Sequence, residues 1–215
     1  MTHTMSDLVA QFGQIDIYLF DQLLRGRIAP SMRILEAGCG TGRNLVYFLQ
    51  SGYDVSGADA DPAAIATVRA LAARLAPALP PERFHTEPLE RLSFPPACAD
   101  VVICSAVLHF ARDEAQFSAM LEGCWRVLSP GGLFFCRLAS SIGMEDRVDP
   151  IAGRRCRLPD GSERFLVDEA MLMTLTRDLD AELVDPLKTT VVQNQRCMTT
   201  WVIRAGVSAK KKTFV

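Results

Sequence analysis

The sequence predicts an α/β fold: a single domain on a doubly wound sheet, mostly parallel with an antiparallel last strand, and helices on both faces. Three observations carry this. Between Arg33 and Leu138, short apolar runs alternate with stretches of helical periodicity. The first of these runs, Ile34-Leu35, opens through Glu36 into the glycine-rich turn Gly38-Cys39-Gly40-Thr41-Gly42. Two final strand-like segments, 187–192 and 198–204, complete the sheet, and the second alternates Met198, Thr200, Val202 with Thr199, Trp201, Ile203, as a strand packed on both faces does.

At 215 residues and 49% hydrophobic, the chain is long enough for one domain with a sizeable core. A formal net charge of −2 makes no electrostatic case for nucleic acid or an acidic membrane surface. No apolar run approaches the roughly 18 residues of a spanning helix, and the N-terminus lacks a signal-peptide core. The seven cysteines, Cys39, Cys98, Cys104, Cys124, Cys136, Cys156 and Cys197, are odd in number and contain no C-x-x-C pair. They read as reduced thiols acting as small hydrophobes in a cytoplasmic protein, and no metal-ligand spacing is present.

Residues 1–30 read as an N-terminal helical cap, frayed over 1–7, with Phe12, Ile15, Leu19, Leu23 and Leu24 predicting one helix over Leu8–Arg27. In the core, 33–138, a short helix carrying Leu45, Phe48 and Leu49 follows the glycine turn and stops at Ser51-Gly52. A second strand, Asp54–Ala58, precedes Asp61-Pro62, an N-cap followed by proline at the first helical position. That helix buries Ile65, Val68 and Leu75, ends in the Ala- and Pro-rich stretch 76–81, and leads to a short strand, Arg83–Thr86. A buried strand over Val101–Ile103, a helix over Glu114–Leu128, a turn at Pro130-Gly131-Gly132 and a strand over Leu133–Leu138 follow. Residues 139–167 break the alternation. Asp160-Gly161 between strand-like runs predicts an inserted hairpin, whose Arg154, Arg155 and Arg157 read as an anion-attracting rim or as a solvated face. Residues 168–205 supply a helix capped by Asp168 and the final strands, and Lys210-Lys211-Lys212 is a short terminal charge run.

The chemistry concentrates in Arg33–Gly57, a nucleotide-binding β-α-β unit. A dinucleotide fingerprint needs its third glycine at position 43, where this chain has Arg43. A P-loop needs Gly-Lys-Ser or Gly-Lys-Thr, which occurs nowhere. E-x-G-x-G-x-G with an acid closing the next strand suits a ligand with ribose hydroxyls but no phosphates, and Asp59 is placed to accept from a ribose diol. Together with D-V-V-x-x-x-x-V-L-H over Asp100–His109 and R-V-L-x-P-G-G over Arg126–Gly132, this resembles a class I S-adenosylmethionine-dependent methyltransferase with a Rossmann-like sheet.

The resemblance implies S-adenosylmethionine as cofactor, S-adenosylhomocysteine as product and in-line methyl transfer to a small-molecule acceptor, with no nucleic-acid or membrane partner. It places Glu36, Gly38, Cys39, Gly40, Gly42, Arg43, Asp59, Ala60, Glu87, Leu89 and Ser105 around the cofactor. In the adenine segment, Pro88 stands where an aspartate is common, so Glu87 is the nearest acid and Leu89 the amide donor. Tyr18, His109 and Arg137 would shape the acceptor site, with His109 either a general base or a histidine that hydrogen-bonds locally. Gly42-Arg43-Asn44, Tyr47 and Gly52-Tyr53-Asp54-Val55 are similar to the tellurite-resistance and thiopurine-methyltransferase-like branch, in which Arg43 would meet the methionine carboxylate or an anionic acceptor. An NAD-dependent oxidoreductase, which Arg43 and the lack of a Tyr-Lys pattern disfavour, and a non-catalytic cofactor-binding protein are the alternatives. The sequence carries no signal for oligomeric state.

Overall fold

A computed structural model describes residues 5–207, with side chains from residue 8. The Lys210–Lys212 run lies outside the described residues.

The first strand, β1 (Arg33–Ala37), is central and pairs in parallel with β2 (Asp54–Asp59) on one side and β4 (Ala99–Ser105) on the other. Beyond β2 lies β3 (Phe84–Thr86), and beyond β4 lies β5 (Leu128–Ala139), both again parallel. The last strand, β11 (Arg196–Ala205), runs antiparallel to β5. It is flanked by β10 (Lys188–Val192) and, over its C-terminal end, by β9 (Ala181–Leu183). Strand order reverses between β1 and β4, so the crevice beyond their carboxyl ends is where an open α/β sheet admits a ligand.

Alternate residues of each strand enter opposite cores, as the period of two requires. Ile34, Val101, Ile103, Phe135 and Val202 pack against Leu45, Phe48 and Val68 on one face. Leu35, Val102, Cys104, Phe134 and Trp201 pack against Phe117, Leu121 and Leu172 on the other. The covering helices are α3 (Val46–Gln50) and α4 (Pro62–Leu75) on the first face, α5 (Glu114–Val127) and α6 (Glu169–Asp178) on the second. Asp61, Asp113 and Asp168 each cap a helix by accepting from a backbone N–H. All seven cysteines are free thiols, six of them buried.

Four elements depart from the sequence reading. The N-terminal helix is two helices, α1 (Met5–Phe12) and α2 (Ile17–Leu24). Gly13 breaks them at φ +61, where a Cβ would sit 2.7 Å from Val46, and Asp16 restarts the helix by accepting from the Tyr18 N–H at 3.0 Å. The Pro130-Gly131-Gly132 turn is instead part of β5, which bulges there: Gly131 has φ +74, and the register against β4 shifts between Ala99 and Val101. The inserted hairpin, β7 (Arg155–Arg157) with β8 (Glu163–Phe165), gains a third strand, β6 (Asp149–Ala152). The strand β9 had no sequence signal; three residues are too few to show alternation. Among the described residues, no helix is long and apolar enough to cross a membrane.

One glycine positions the site from outside it. A Cβ on Gly123, inside α5, would lie 2.0 Å from the carbonyl oxygen of Leu89, so this helix face admits the Leu89–Arg91 turn only as glycine. Gly123→Ala is expected to cost about 2–3 kcal/mol in chemical denaturation, because the overlap outweighs the gain of about 1 kcal/mol from helix propensity. A variant as stable as the parent would refute this account of the turn.

Candidate active site

At the carboxyl ends of β1, β2 and β4 lies a cavity of about 550 Å³, lined among others by Glu36, Gly38, Gly40, Asp59, Leu89 and Ser105. Its floor is the glycine turn stitched to β2. Gly38 and Cys39 donate their N–H groups to the Ala58 carbonyl at 2.8 and 2.9 Å. The Asp59 carboxylate accepts from the Gly40 N–H at 2.8 Å and from the Asp61 N–H at 2.9 Å. Gly40 has φ +51, and nothing stands within 4 Å of where its Cβ would be, so the backbone here leaves a cradle open to a ligand.

Glu36 is 1% exposed. Its Oε1 accepts from the Asn44 amide at 2.6 Å, while Oε2 has no partner among the described residues. Burial pushes this carboxyl up to about 8, against the pull of the Asn44 hydrogen bond and the nearby Arg43 charge. Asn44 in turn accepts from the Asp16 N–H at 2.9 Å, and buried Asp16 Oδ2 meets Arg137 at 3.0 Å and Arg43 at 3.9 Å. Arg43 also donates to Ser105 Oγ at 3.1 Å. One polar chain therefore runs from β1 through the glycine turn and the N-terminal cap to the end of β5.

Arg43 and Ala106 separate this cavity from a second, of about 330 Å³, which His109, Arg137, Arg164 and Arg196 help to line. Ala106 holds φ +65, a left-handed conformation unusual for alanine, and donates its N–H to the Arg137 carbonyl at 2.7 Å. His109 Nδ1 accepts from the Ala139 N–H at 3.1 Å, so the ring proton of the neutral imidazole sits on Nε2. Burial, helped by the Arg164 charge, pushes His109 down to about 4. It is a neutral donor at physiological pH. The general-base role is thereby corrected, since its one basic nitrogen is occupied by the backbone.

Of the cofactor residues inferred from the sequence, Glu36, Gly38, Cys39, Gly40, Arg43, Asp59, Ala60, Leu89 and Ser105 line the first cavity. Gly42 does not: at φ +82 it packs on α4, where a Cβ would lie 2.8 Å from Val68 and 2.9 Å from Leu71. Glu87 also turns away, its Oε1 accepting from the Ser93 N–H at 3.0 Å. From this segment it is Glu90 that lines the cavity, accepting from Gln116 at 2.6 Å. Tyr18 lines neither cavity. Its hydroxyl pairs with Thr190 at 2.7 Å and its ring lies 5.6 Å from the Arg137 guanidinium, so it backs the wall. The hairpin arginines are paired rather than free, Arg154 with Asp168 at 2.9 Å, Arg155 and Arg157 with Glu163 at 3.2 and 3.1 Å. Arg164 and Arg196, which the sequence reading passed over, stand at the second cavity instead; nothing in their local sequence distinguishes them. Asn44, Glu90 and Gln116 were also missed, and only Asn44, beside the glycine turn, carried a positional hint. No group of three or more His, Cys, Asp or Glu among the described residues is arranged for a metal ion.

Two outcomes are expected from the polar chain. Asp16→Ala removes the N-cap of α2 and the partner of Arg137, and is expected to cost about 2–4 kcal/mol in urea unfolding; a loss within about 0.5 kcal/mol would show the chain to be ornamental. The second concerns pH. Glu36 titrates near 4.5 unfolded and about 8 folded, so the folded state holds a proton the unfolded chain has lost, and stability falls as pH rises through that window. His109, 6.5 unfolded and about 4 folded, acts oppositely but only below 6.5. From pH 6.5 to 8 the ligand-free protein should therefore lose at most about 2 kcal/mol, and Glu36→Gln should flatten that slope. An unchanged slope in the variant would remove Glu36 as its source.

Residues 35–136 match the family model described as "Methyltransferase domain". An uncharacterized methyltransferase of Synechocystis sp. is 34% identical over 108 residues, 50% of this chain and 47% of that protein. A probable S-adenosylmethionine-dependent methyltransferase of Mycolicibacterium smegmatis is 33% identical over 134 residues, 60% of this chain and 48% of that protein. The chain thus spans about half the length of these curated relatives. Among solved structures, a SAM-dependent methyltransferase of Methanosarcina mazei superposes with a TM-score of 0.70 at 22% identity, covering 86% of this chain and 98% of that one. The fold is the one shared by known S-adenosylmethionine-dependent methyltransferases, and just under half of the chain, residues 35–136, is similar to the methyltransferase domain.

Proposed function

We propose that the protein transfers a methyl group from S-adenosylmethionine, held in the larger cavity, to a small-molecule acceptor in the smaller one. The observation that carries the reading is the junction of the two cavities at Arg43 and Ala106, at the sheet's switch point. The residues present fit the cofactor. Asp59 retains acceptor capacity for a ribose diol beside the open cradle at Gly40, and the unpartnered Glu36 Oε2 suits the cationic amino-acid end. Glu90 and the Leu89 amide would take the adenine edge. When bound, the cofactor supplies an electrophilic methyl group on a positively charged sulfur.

The protein's part is to align the two ligands and exclude water, and positioning of this kind can supply roughly 7–11 kcal/mol of a barrier. With Nδ1 engaged by the Ala139 amide, His109 is not arranged as a base, so the acceptor should arrive ionised or carry a lone pair that needs no deprotonation. The N-terminal cap holds the acceptor wall through Asp16 and Arg137. The finer kinship with the tellurite-resistance and thiopurine-methyltransferase-like branch rests on Gly42-Arg43-Asn44, of which Arg43 faces both cavities and Asn44 orients Glu36. The division into cap, core, insert and C-terminal unit within one domain belongs to the same reading, as does a cytoplasmic setting for seven free thiols.

Calorimetric titration with S-adenosylhomocysteine tests it. The protein should bind this product and not NADH, and Asp59→Ala should weaken binding by about 10–100-fold, the loss of a charged hydrogen bond. Equal affinity in the variant would overturn the assignment of Asp59, and binding of NADH alone would return the chain to the oxidoreductase reading.

A further inference from the structure

The smaller cavity has an unusual balance of charge. Its lining holds four arginines, Arg43, Arg137, Arg164 and Arg196, against one acid, Asp160, in a chain whose formal net charge is −2. Oδ1 of Asp160 accepts from the Ser162 N–H at 2.9 Å and from its hydroxyl at 2.6 Å, and its charge lies near enough to Arg164 and Arg196 to feel both without forming a salt bridge, so one carboxylate faces two guanidinium groups. Arg43 and Arg137 share the single carboxylate of Asp16, which is buried behind them, and the Nε of Arg137 is buried without a partner among the described residues. Arg164 and Arg196 form no salt bridge among the described residues, whereas the neighbouring Arg154, Arg155 and Arg157 all do. Arg164 is nevertheless held in place: its guanidinium lies 4.9 Å over the Phe110 ring and Nη1 donates to the Glu163 carbonyl at 2.7 Å. Arg196 opens β11 directly after a tight turn in which Gln193 and Asn194 take φ +50 and +55, so it too projects from a defined backbone.

We propose that the acceptor is a small oxyanion, a carboxylate or a phosphate, gripped by Arg137, Arg164 and Arg196 with the Nε2–H of His109 as a neutral donor; the proposal rests on the methyl-transfer reading of the same site. Guanidinium groups bind carboxylate and phosphate oxygens in pairs; Arg164 and Arg196, with no salt bridge among the described residues, are free to take a ligand oxygen, and Arg137 shares its one carboxylate, Asp16, with Arg43. The volume, about 330 Å³, admits a ligand of one ring or a short chain, not a polymer. An acceptor that arrives already ionised also needs no general base, in agreement with the proton on His109 Nε2. The specificity residues then come from segments outside the matched core, since Arg164 belongs to the inserted sheet and Arg196 to the last strand.

The test uses the full chain saturated with S-adenosylhomocysteine and three probes of one shape class: benzoate, phenyl phosphate and neutral benzamide. Calorimetry should find at least one of the two anions bound about tenfold or more tighter than benzamide, the discrimination expected of one charged hydrogen-bond pair, and the preferred anion identifies carboxylate or phosphate. The double substitution Arg164→Gln, Arg196→Gln should abolish the preference while S-adenosylhomocysteine affinity is unchanged, which also shows that the variant folds. Arg157→Gln, a paired arginine outside the cavity, should retain it. Neither anion exceeding benzamide, or a preference that survives the double substitution, would overturn the proposal. Failure of S-adenosylhomocysteine to bind would instead strike the methyl-transfer reading, and the anion titrations, repeated without it, would still decide the cavity's charge preference.

Discussion

The buried chain Glu36–Asn44–Asp16–Arg137 is the interaction on which the site depends. Each member is costly to bury alone, and each is made tolerable by the next. Asn44 takes one oxygen of Glu36 and presents its own carbonyl to the Asp16 backbone; Asp16 spends one carboxylate oxygen capping α2 and the other on Arg137. Through these bonds the central strand, the glycine turn, the N-terminal cap and the end of β5 become one rigid frame. The one oxygen left over, Glu36 Oε2, faces the cavity wall where a cation would complete the network.

That frame separates two design problems. The larger cavity is built mainly from backbone: the Gly38–Gly40 turn, its hydrogen bonds to β2, and the Leu89 turn seated against Gly123. Backbone recognition suits a ligand that never changes. The smaller cavity adds side chains from the β7–β8 and β10–β11 hairpins to Arg43, His109 and Arg137, and the hairpins can be exchanged without disturbing the parallel sheet. Ala106, shared by both cavities, and His109, in the smaller one, are each held from β5, one by the Arg137 carbonyl and the other by the Ala139 amide. Both bonds run to β5, so the wall between the two cavities is anchored in the core rather than in a loop.

Much of the fold was legible because it rests on local rules. The periods of two and 3.6, the Asp caps at Asp61 and Asp168, the Ser51-Gly52 stop and the glycine turn are all short-range signals, and the structure realises each of them. Where several local rules competed, the reading failed: Gly13 interrupts a helical pattern that was otherwise continuous, and Pro130-Gly131-Gly132 makes a bulge because β4 remains available to pair on both sides of it. Propensity cannot weigh a partner strand that lies thirty residues away in sequence.

The same distinction runs through the site. By itself the sequence brought together the residues of the larger cavity, since Glu36, Gly38, Gly40 and Asp59 lie within one β-α-β unit whose geometry follows from spacing. Only the tertiary structure decided the smaller cavity. His109 became a donor because a backbone amide from another strand reached its Nδ1, and Glu87 yielded to Glu90 because a short turn rotated one acid out and the other in. The arginines that matter were chosen by what remained after pairing: Glu163 and Asp168 take up three of them, and Arg164 and Arg196 are left at the cavity. A residue's charge is written in the sequence; whether that charge is already satisfied depends on neighbours that only folding brings together.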